Sequence, residues 1–229
     1  MPTDNLSRLR VIAQGLEELN GRVVFVGGSV AQLYASDSAS TDIRPTDDID
    51  CVVDLSSYKE YCDFSELLRS KRFHNDATPG APICRWLFLD EKVDFMPTDS
   101  QILGFSNRWY KSGMAHKVVY EISADVFIHI LPAIYFIATK FEAVRTRGGA
   151  DLRTSHDFED IVYVLNYCPE IAAQFVNADD SELKTYIREC FSDLLSRNNI
   201  QEEIECMLPY GEQERSEDLL DLMAAIVKQ

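Results

Sequence analysis

Arg22-Val23-Val24-Phe25-Val26-Gly27-Gly28-Ser29 and, further on, Thr46-Asp47-Asp48-Ile49-Asp50-Cys51-Val52-Val53 are the two stretches whose reading decides the fold. In the first, an apolar run breaks on a glycine pair, the pattern of a buried strand that ends in a tight turn and enters a helix over Val30 to Ala35. Backbone N–H groups at Gly28 and Ser29 would point outward from such a turn, where they can hold a phosphate. In the second, a period of two puts Asp48 and Asp50 on one face of a strand, roughly 6.5–7 Å apart along it, with Ile49, Cys51 and Val53 on the other. Two carboxylates on one edge repel each other, and a hard divalent cation such as Mg²⁺, or Mn²⁺ in its place, is the economical partner for them.

The chain around these stretches has 229 residues, enough for one large domain or two smaller ones. Its formal net charge of −16 argues against a general affinity for nucleic acid, which depends on Lys and Arg neutralising phosphates. Local basic groups remain at Arg69, Lys71 and Arg72, read as a solvated helix end, and at Lys140, Arg145 and Arg147. No apolar run reaches the roughly 18 residues of a membrane span, and Met1-Pro2-Thr3-Asp4 lacks the basic and apolar regions of a signal peptide, so the expectation is a cytoplasmic protein without a membrane partner. The six cysteines form no C-x-x-C pair and mostly sit in apolar patterns, which favours reduced core thiols over disulfides or zinc.

Leu6, Leu9, Ile12, Leu16 and Leu19 predict a first helix that stops at Asn20-Gly21. Strands are expected at 22–27, 49–54, 83–89 and 92–96, a helix at 57–70 led by Ser56-Ser57, polar loops at 35–44 and 76–82, and a hairpin from 117–122 and 126–131. Beyond Pro132 the pattern is helical: 134–147, 155–167, 169–176, 181–196, 201–208 and 216–227. The order predicts an α+β chain, with a mixed sheet flanked by helices over 1–131 and a helical domain over 132–229. Trp86, Trp109, His74, His116 and His129 read as structural.

A third carboxylate, Asp94, lies between apolar residues in Glu91-Lys92-Val93-Asp94-Phe95-Met96, where an ionised group is costly unless paired or bound to metal. Beside a D-x-D strand the three suit in-line attack on the α-phosphate of a nucleotide. Asp48 and Asp50 would hold the metal, and Asp94 would help hold a second ion or take the proton of the attacking hydroxyl. On the helical side, Lys140, Ala143 and Arg147 fall on one helix face, as do Asp157 and Asp160 on the next. The alternative for Lys140 and Arg147 is a surface ion-pair stripe with Glu142 and Asp151, and for His156 a plain surface histidine.

These motifs together resemble the AbiEii/AbiGii-type toxins within the DNA polymerase beta-like nucleotidyltransferase superfamily. Gly27-Gly28-Ser29 with Arg44-x-Thr46 and Asp48-x-Asp50 is similar to the family's first motif, Lys140-Phe141-x-Ala143-x-x-x-Arg147 to its K-L-x-A-x-x-x-R helix, and His156-Asp157-Phe158-x-Asp160-Ile161 to its K-D-x-x-D-L motif. The resemblance spans Arg22 to about Leu165. It departs from the pattern in a longer interval between Ser29 and Asp48 and in His156 standing where a lysine is usual. It implies transfer of a nucleoside monophosphate from an NTP to an acceptor hydroxyl. Asp48, Asp50, Asp94 and Lys140 would be catalytic, and Gly28, Ser29, Thr46, Lys140, Arg147, Asp157 and Asp160 would contact the nucleotide. It further implies the toxin of a toxin-antitoxin or phage-defence pair, with an antitoxin protein as partner. The acceptor stays open between RNA or a tRNA end, a protein and a small molecule. An aminoglycoside-type nucleotidyltransferase and a non-catalytic nucleotide-binding regulator are the competing readings.

Overall fold

The structure, a computed structural model, describes residues 4–36, 44–147 and 151–229. One mixed sheet of seven strands holds the N-terminal part together, in the order β3-β4-β5-β2-β1-β7-β6. The strands are β1 (Val23–Val26), β2 (Ile49–Val53), β3 (His74–Asn75), β4 (Arg85–Phe88), β5 (Glu91–Pro97), β6 (Val118–Ser123) and β7 (Val126–Ile130). β1 runs antiparallel to β2 and parallel to β7, and β2 runs parallel to β5, while β3–β4, β4–β5 and β6–β7 are antiparallel pairs. The α+β class with helices flanking a mixed sheet is therefore the one the sequence pattern predicts.

The middle strands are buried because their apolar residues leave no polar face. All four residues of β1 are buried, and in β2 only Asp50 is partly exposed. Phe25, Cys51 and Phe95 stand in one cross-strand row, fully buried. Helix α2 (Tyr58–Ser70), capped by Ser57, packs Phe64 edge-on against Phe95 at 5.6 Å. Helix α1 (Asn5–Leu16) comes so close to β4 that a Cβ on Gly15 would meet the Phe88 ring at 2.5 Å, which accounts for a glycine inside a helix. Lys71 at the end of α2 binds Glu17 and Glu18 at 2.7 and 2.8 Å, fastening the segment after α1.

Local geometry departs from the sequence pattern in a few places. Helix α1 ends at Leu16, with Glu17 in a positive-φ conformation, and the chain continues to Arg22 as a tighter three-residue-per-turn helix. The segment after the glycine pair, Gly28–Tyr34, is likewise of the tight kind rather than an α-helix. Between Pro97 and Lys117, where the periodicity is too short to read, lie α3 (Ser100–Leu103) and α4 (Tyr110–Ala115). Residues 37–43 of the polar 35–44 stretch, and Gly148-Gly149, where the sequence suggests a stop for the helix expected at 134–147, fall outside the described residues.

Contacts group the residues into two compact units, Met1–Val30 with Arg44–Pro132, and Ala31–Ile43 with Ala133–Gln229. The second unit holds α5 (Ala133–Arg147), α6 (His156–Tyr167), α7 (Ile171–Asn177), α8 (Ser181–Leu195), α9 (Ile200–Glu205) and α10 (Arg215–Val227). The helix expected at 169–176 starts at Ile171, since Cys168 closes α6 in extended backbone. Its core includes Phe141 edge-on to Phe191 at 5.6 Å, and the Tyr34 ring 4.9 Å from Phe136. Trp86 and Trp109 are buried, and the cysteines are free thiols, four of them buried, with Cys62 and Cys206 exposed. No helix among the described residues is long and apolar enough to cross a membrane.

Candidate active site

The strand register builds a polar row across the sheet. Asp50 on β2 stands opposite Val26 on β1 and opposite Asp94 on β5, and Asp94 stands opposite Arg85 on β4. Neighbours in register project to the same face, so two carboxylates and a guanidinium lie side by side, and Asp48, in the bend just before β2, reaches the same guanidinium. Asp94 is only 7 % exposed, although its chain neighbours Val93 and Phe95 face the core on the other side.

Arg85 is what makes this crowding tolerable. Its Nε donates to Asp94 Oδ1 at 2.8 Å and its Nη2 to Asp94 Oδ2 at 2.8 Å, a two-pronged pair. The same Nη2 also donates to Asp48 Oδ2 at 2.5 Å. The hydrogen bonds to Asp94, opposed only in part by burial, push the guanidinium even further into its charged form. Burial and then the neighbouring Asp94 raise the Cys84 thiol to about 12, and burial followed by Asp50 and Asp94 raises Cys51, so neither thiol ionises beside the row. Arg85 escapes a reading of single motifs. Its signal was a lone cation in the apolar run Cys84-Arg85-Trp86-Leu87-Phe88, which a hairpin turning at Leu89-Asp90 sets opposite Asp94.

The turn after β1 completes the edge. Gly27 has φ +74°, and a Cβ there would collide with Asp50 Oδ2 and stand 3.0 Å from Asp50 Cβ. Only glycine supplies both the backbone conformation and the room for Asp50. Gly28 and Ser29 are buried, and the Ser29 hydroxyl turns back to the Val26 carbonyl at 3.5 Å.

The loop that delivers Asp48 is held from α1. Buried Arg8 pairs with Glu91 at 2.5 Å and donates to the Thr46 carbonyl and, at 3.1 Å, to the Asp47 carbonyl. Asn5 donates to the Arg44 carbonyl and accepts from the Thr46 N–H, both at 3.4 Å. The Thr46 hydroxyl donates to the Asp48 carbonyl at 2.9 Å, so this residue is tied to the loop backbone. The first helix thus steadies the first aspartate.

The second unit carries its own polar cluster. Lys140 on α5 is buried and ion-paired to Asp160 at 2.5 Å and Asp157 at 3.2 Å, and exposed Arg147 meets Asp157 at 3.0 Å. Ser155 caps α6 by accepting from the Phe158 N–H, which fixes the turn that presents Asp157. Burial of Lys140 sets it apart from a surface stripe, and the i,i+3 carboxylates orient it. Arg145 pairs with Asp193 and Arg153 with Asp151, while exposed His156 lies 3.2 Å from its helix neighbour Glu159.

Asp48 and Asp50 offer hard oxygen donors of the kind Mg²⁺ takes, and the Asp48 oxygen not held by Arg85 remains for it. Arg85 spans the space between Asp94 and Asp48, bonded to both. Among the described residues no three His, Cys, Asp or Glu side chains gather in a group that could hold one metal ion.

No family model and no curated protein matches the sequence. Among solved structures, the chain is similar to the crystal structure of an antigenic nucleotidyltransferase-like protein from Paracoccidioides brasiliensis, with a TM-score of 0.52 and 16% sequence identity over 90% of this chain and 94% of that one. The fold is nucleotidyltransferase-like. At this identity the likeness is one of fold alone.

Proposed function

We propose that this chain is a divalent-metal-dependent nucleotidyltransferase, moving a nucleoside monophosphate from an NTP to an acceptor hydroxyl. The observation that carries the reading is the row of Asp50 and Asp94 in register, joined by Asp48, on a nucleotidyltransferase-like fold. Asp48 and Asp50 would hold Mg²⁺, which when bound neutralises triphosphate charge and makes the α-phosphorus easier to attack. Gly27 keeps the chain clear of Asp50, and Arg8, through the Thr46 and Asp47 carbonyls, keeps Asp48 in place. Asp94 accepts the proton of the acceptor hydroxyl at an oxygen lone pair that the Arg85 fork leaves unused. The new bond joins the acceptor oxygen to the α-phosphorus, the bond to the bridging oxygen breaks, and pyrophosphate leaves with the electron pair.

The resemblance to AbiEii/AbiGii-type toxins extends this proposal to Lys140 and Arg147 as contacts for the triphosphate, with Asp157 and Asp160 orienting them, and to a toxin neutralised by an antitoxin. For the acceptor, the net charge of −16 favours a protein or a small polyhydroxylated molecule over a long RNA. The test is incubation with each α-labelled NTP, Mg²⁺ and cell extract, beside a protein with Asp48→Ala and Asp50→Ala. Label that depends on the two aspartates establishes transfer, and its sensitivity to RNase or protease names the acceptor class. Equal labelling by the double variant sinks the assignment.

A further inference from the structure

We propose that Arg85 is a built-in cation that takes the place of a second metal ion, so that the site accepts one divalent ion, on Asp48 and Asp50. This rests on the metal-site reading above and goes beyond it. The position of Nη2 carries the argument: it lies 2.8 Å from Asp94 Oδ2 and 2.5 Å from Asp48 Oδ2, joining the carboxylate on β5 to the one in the bend that leads into β2. Nε meanwhile occupies the other Asp94 oxygen at 2.8 Å, so both Asp94 oxygens already face positive charge.

The pairing is set by the backbone. Arg85 and Asp94 are direct partners in the tight β4–β5 hairpin, so the guanidinium needs no long excursion to reach the carboxylate. Side-chain exposure of 17 % for Arg85 and 10 % for Asp94 means that an ion entering between them would have to displace a charge-assisted fork from a largely dry position. Charge points the same way. Three carboxylates are balanced by one divalent ion and one guanidinium, whereas two divalent ions beside Arg85 would leave an excess of positive charge before any triphosphate arrived.

The test counts bound Mn²⁺ by the loss of the free-ion paramagnetic resonance signal, on the full chain, with the Asp48→Ala, Asp50→Ala protein subtracted to remove weak binding to the acidic surface. One specific ion per chain is expected for the native protein, two for Arg85→Gln, and one for Arg85→Lys, which keeps the charge. Two ions on the native chain overturn the proposal, as does a folded Arg85→Gln that still binds one. Should Arg85→Gln fail to fold, the native count and that of Arg85→Lys decide. A native chain that binds no more than the aspartate-free control refutes the metal-site reading itself, an outcome distinct from either of the others.

Discussion

Replacing Arg8 with Met should cost about 3 kcal/mol of stability in the sheet-bearing unit. The figure follows from what the side chain holds. Arg8 and Glu91 side chains are 8% and 13% exposed, so the substitution strands a mostly buried carboxylate, a loss of roughly 3–5 kcal/mol for fully buried pairs. Residual water access at Glu91 puts the expectation at about the lower end of that range. Two backbone acceptors, at Thr46 and Asp47, lose their donor as well, but the exposed Asp47 can turn to solvent. Removing both partners in Arg8→Met, Glu91→Leu should recover part of the loss, because no unpaired charge is left behind. Urea unfolding followed by tryptophan fluorescence is the assay, since Trp86 and Trp109 are both buried in the same unit. A single variant costing less than about 1 kcal/mol, or a double variant no more stable than the single one, would refute the reasoning.

Gly27→Ala should cost about 1–2 kcal/mol from its positive φ alone, and because the new methyl drives Asp50 aside it should also lower nucleotidyl transfer more than tenfold; unfolding and transfer assays on one preparation check both, and an active, equally stable variant would count against the site. His129 titrates below its ordinary 6.5, first because burial disfavours the charged ring and then because Lys117 repels it. The unfolded chain therefore takes up that proton first as pH falls, so His129 contributes stability above about 6.5 that is lost as pH drops through its lower folded value. Melting curves between pH 7.5 and 5 should fall less steeply for His129→Asn than for the native chain, and parallel curves would contradict the assignment.

Much of this architecture could be read from residue order, because its signals are local. Four consecutive apolar residues before Gly27-Gly28 mark a central strand, and Asp50 between Ile49 and Cys51 marks the polar side of the next one, although Asp48, expected on the same strand, lies in the bend before it. Heptad-like spacing in 181–196 marks α8 without reference to anything distant. What escaped had a common cause: its meaning depends on a partner far along the chain. Arg85 looks like one more surface cation until the hairpin places it on Asp94. Arg8 reads as the polar face of an amphipathic helix until Glu91 and the Thr46 carbonyl close on it. The tight helix at Gly28–Tyr34 and the short turns α3 and α4 escaped for a different reason, since they are too brief for any periodicity to accumulate.

The grouping of Ala31–Ile43 with the helices has a practical consequence for dissecting the molecule. A chain cut after Pro132 does not separate two self-sufficient halves. The released helical piece would lack Tyr34, whose ring lies on Phe136, and Ser36, whose N–H is bound by the Tyr167 carbonyl. The other piece would carry those residues as a stretch stripped of its packing. Limited proteolysis at that junction should therefore yield fragments that stay together under native conditions, and recombinant halves should become soluble only when produced together.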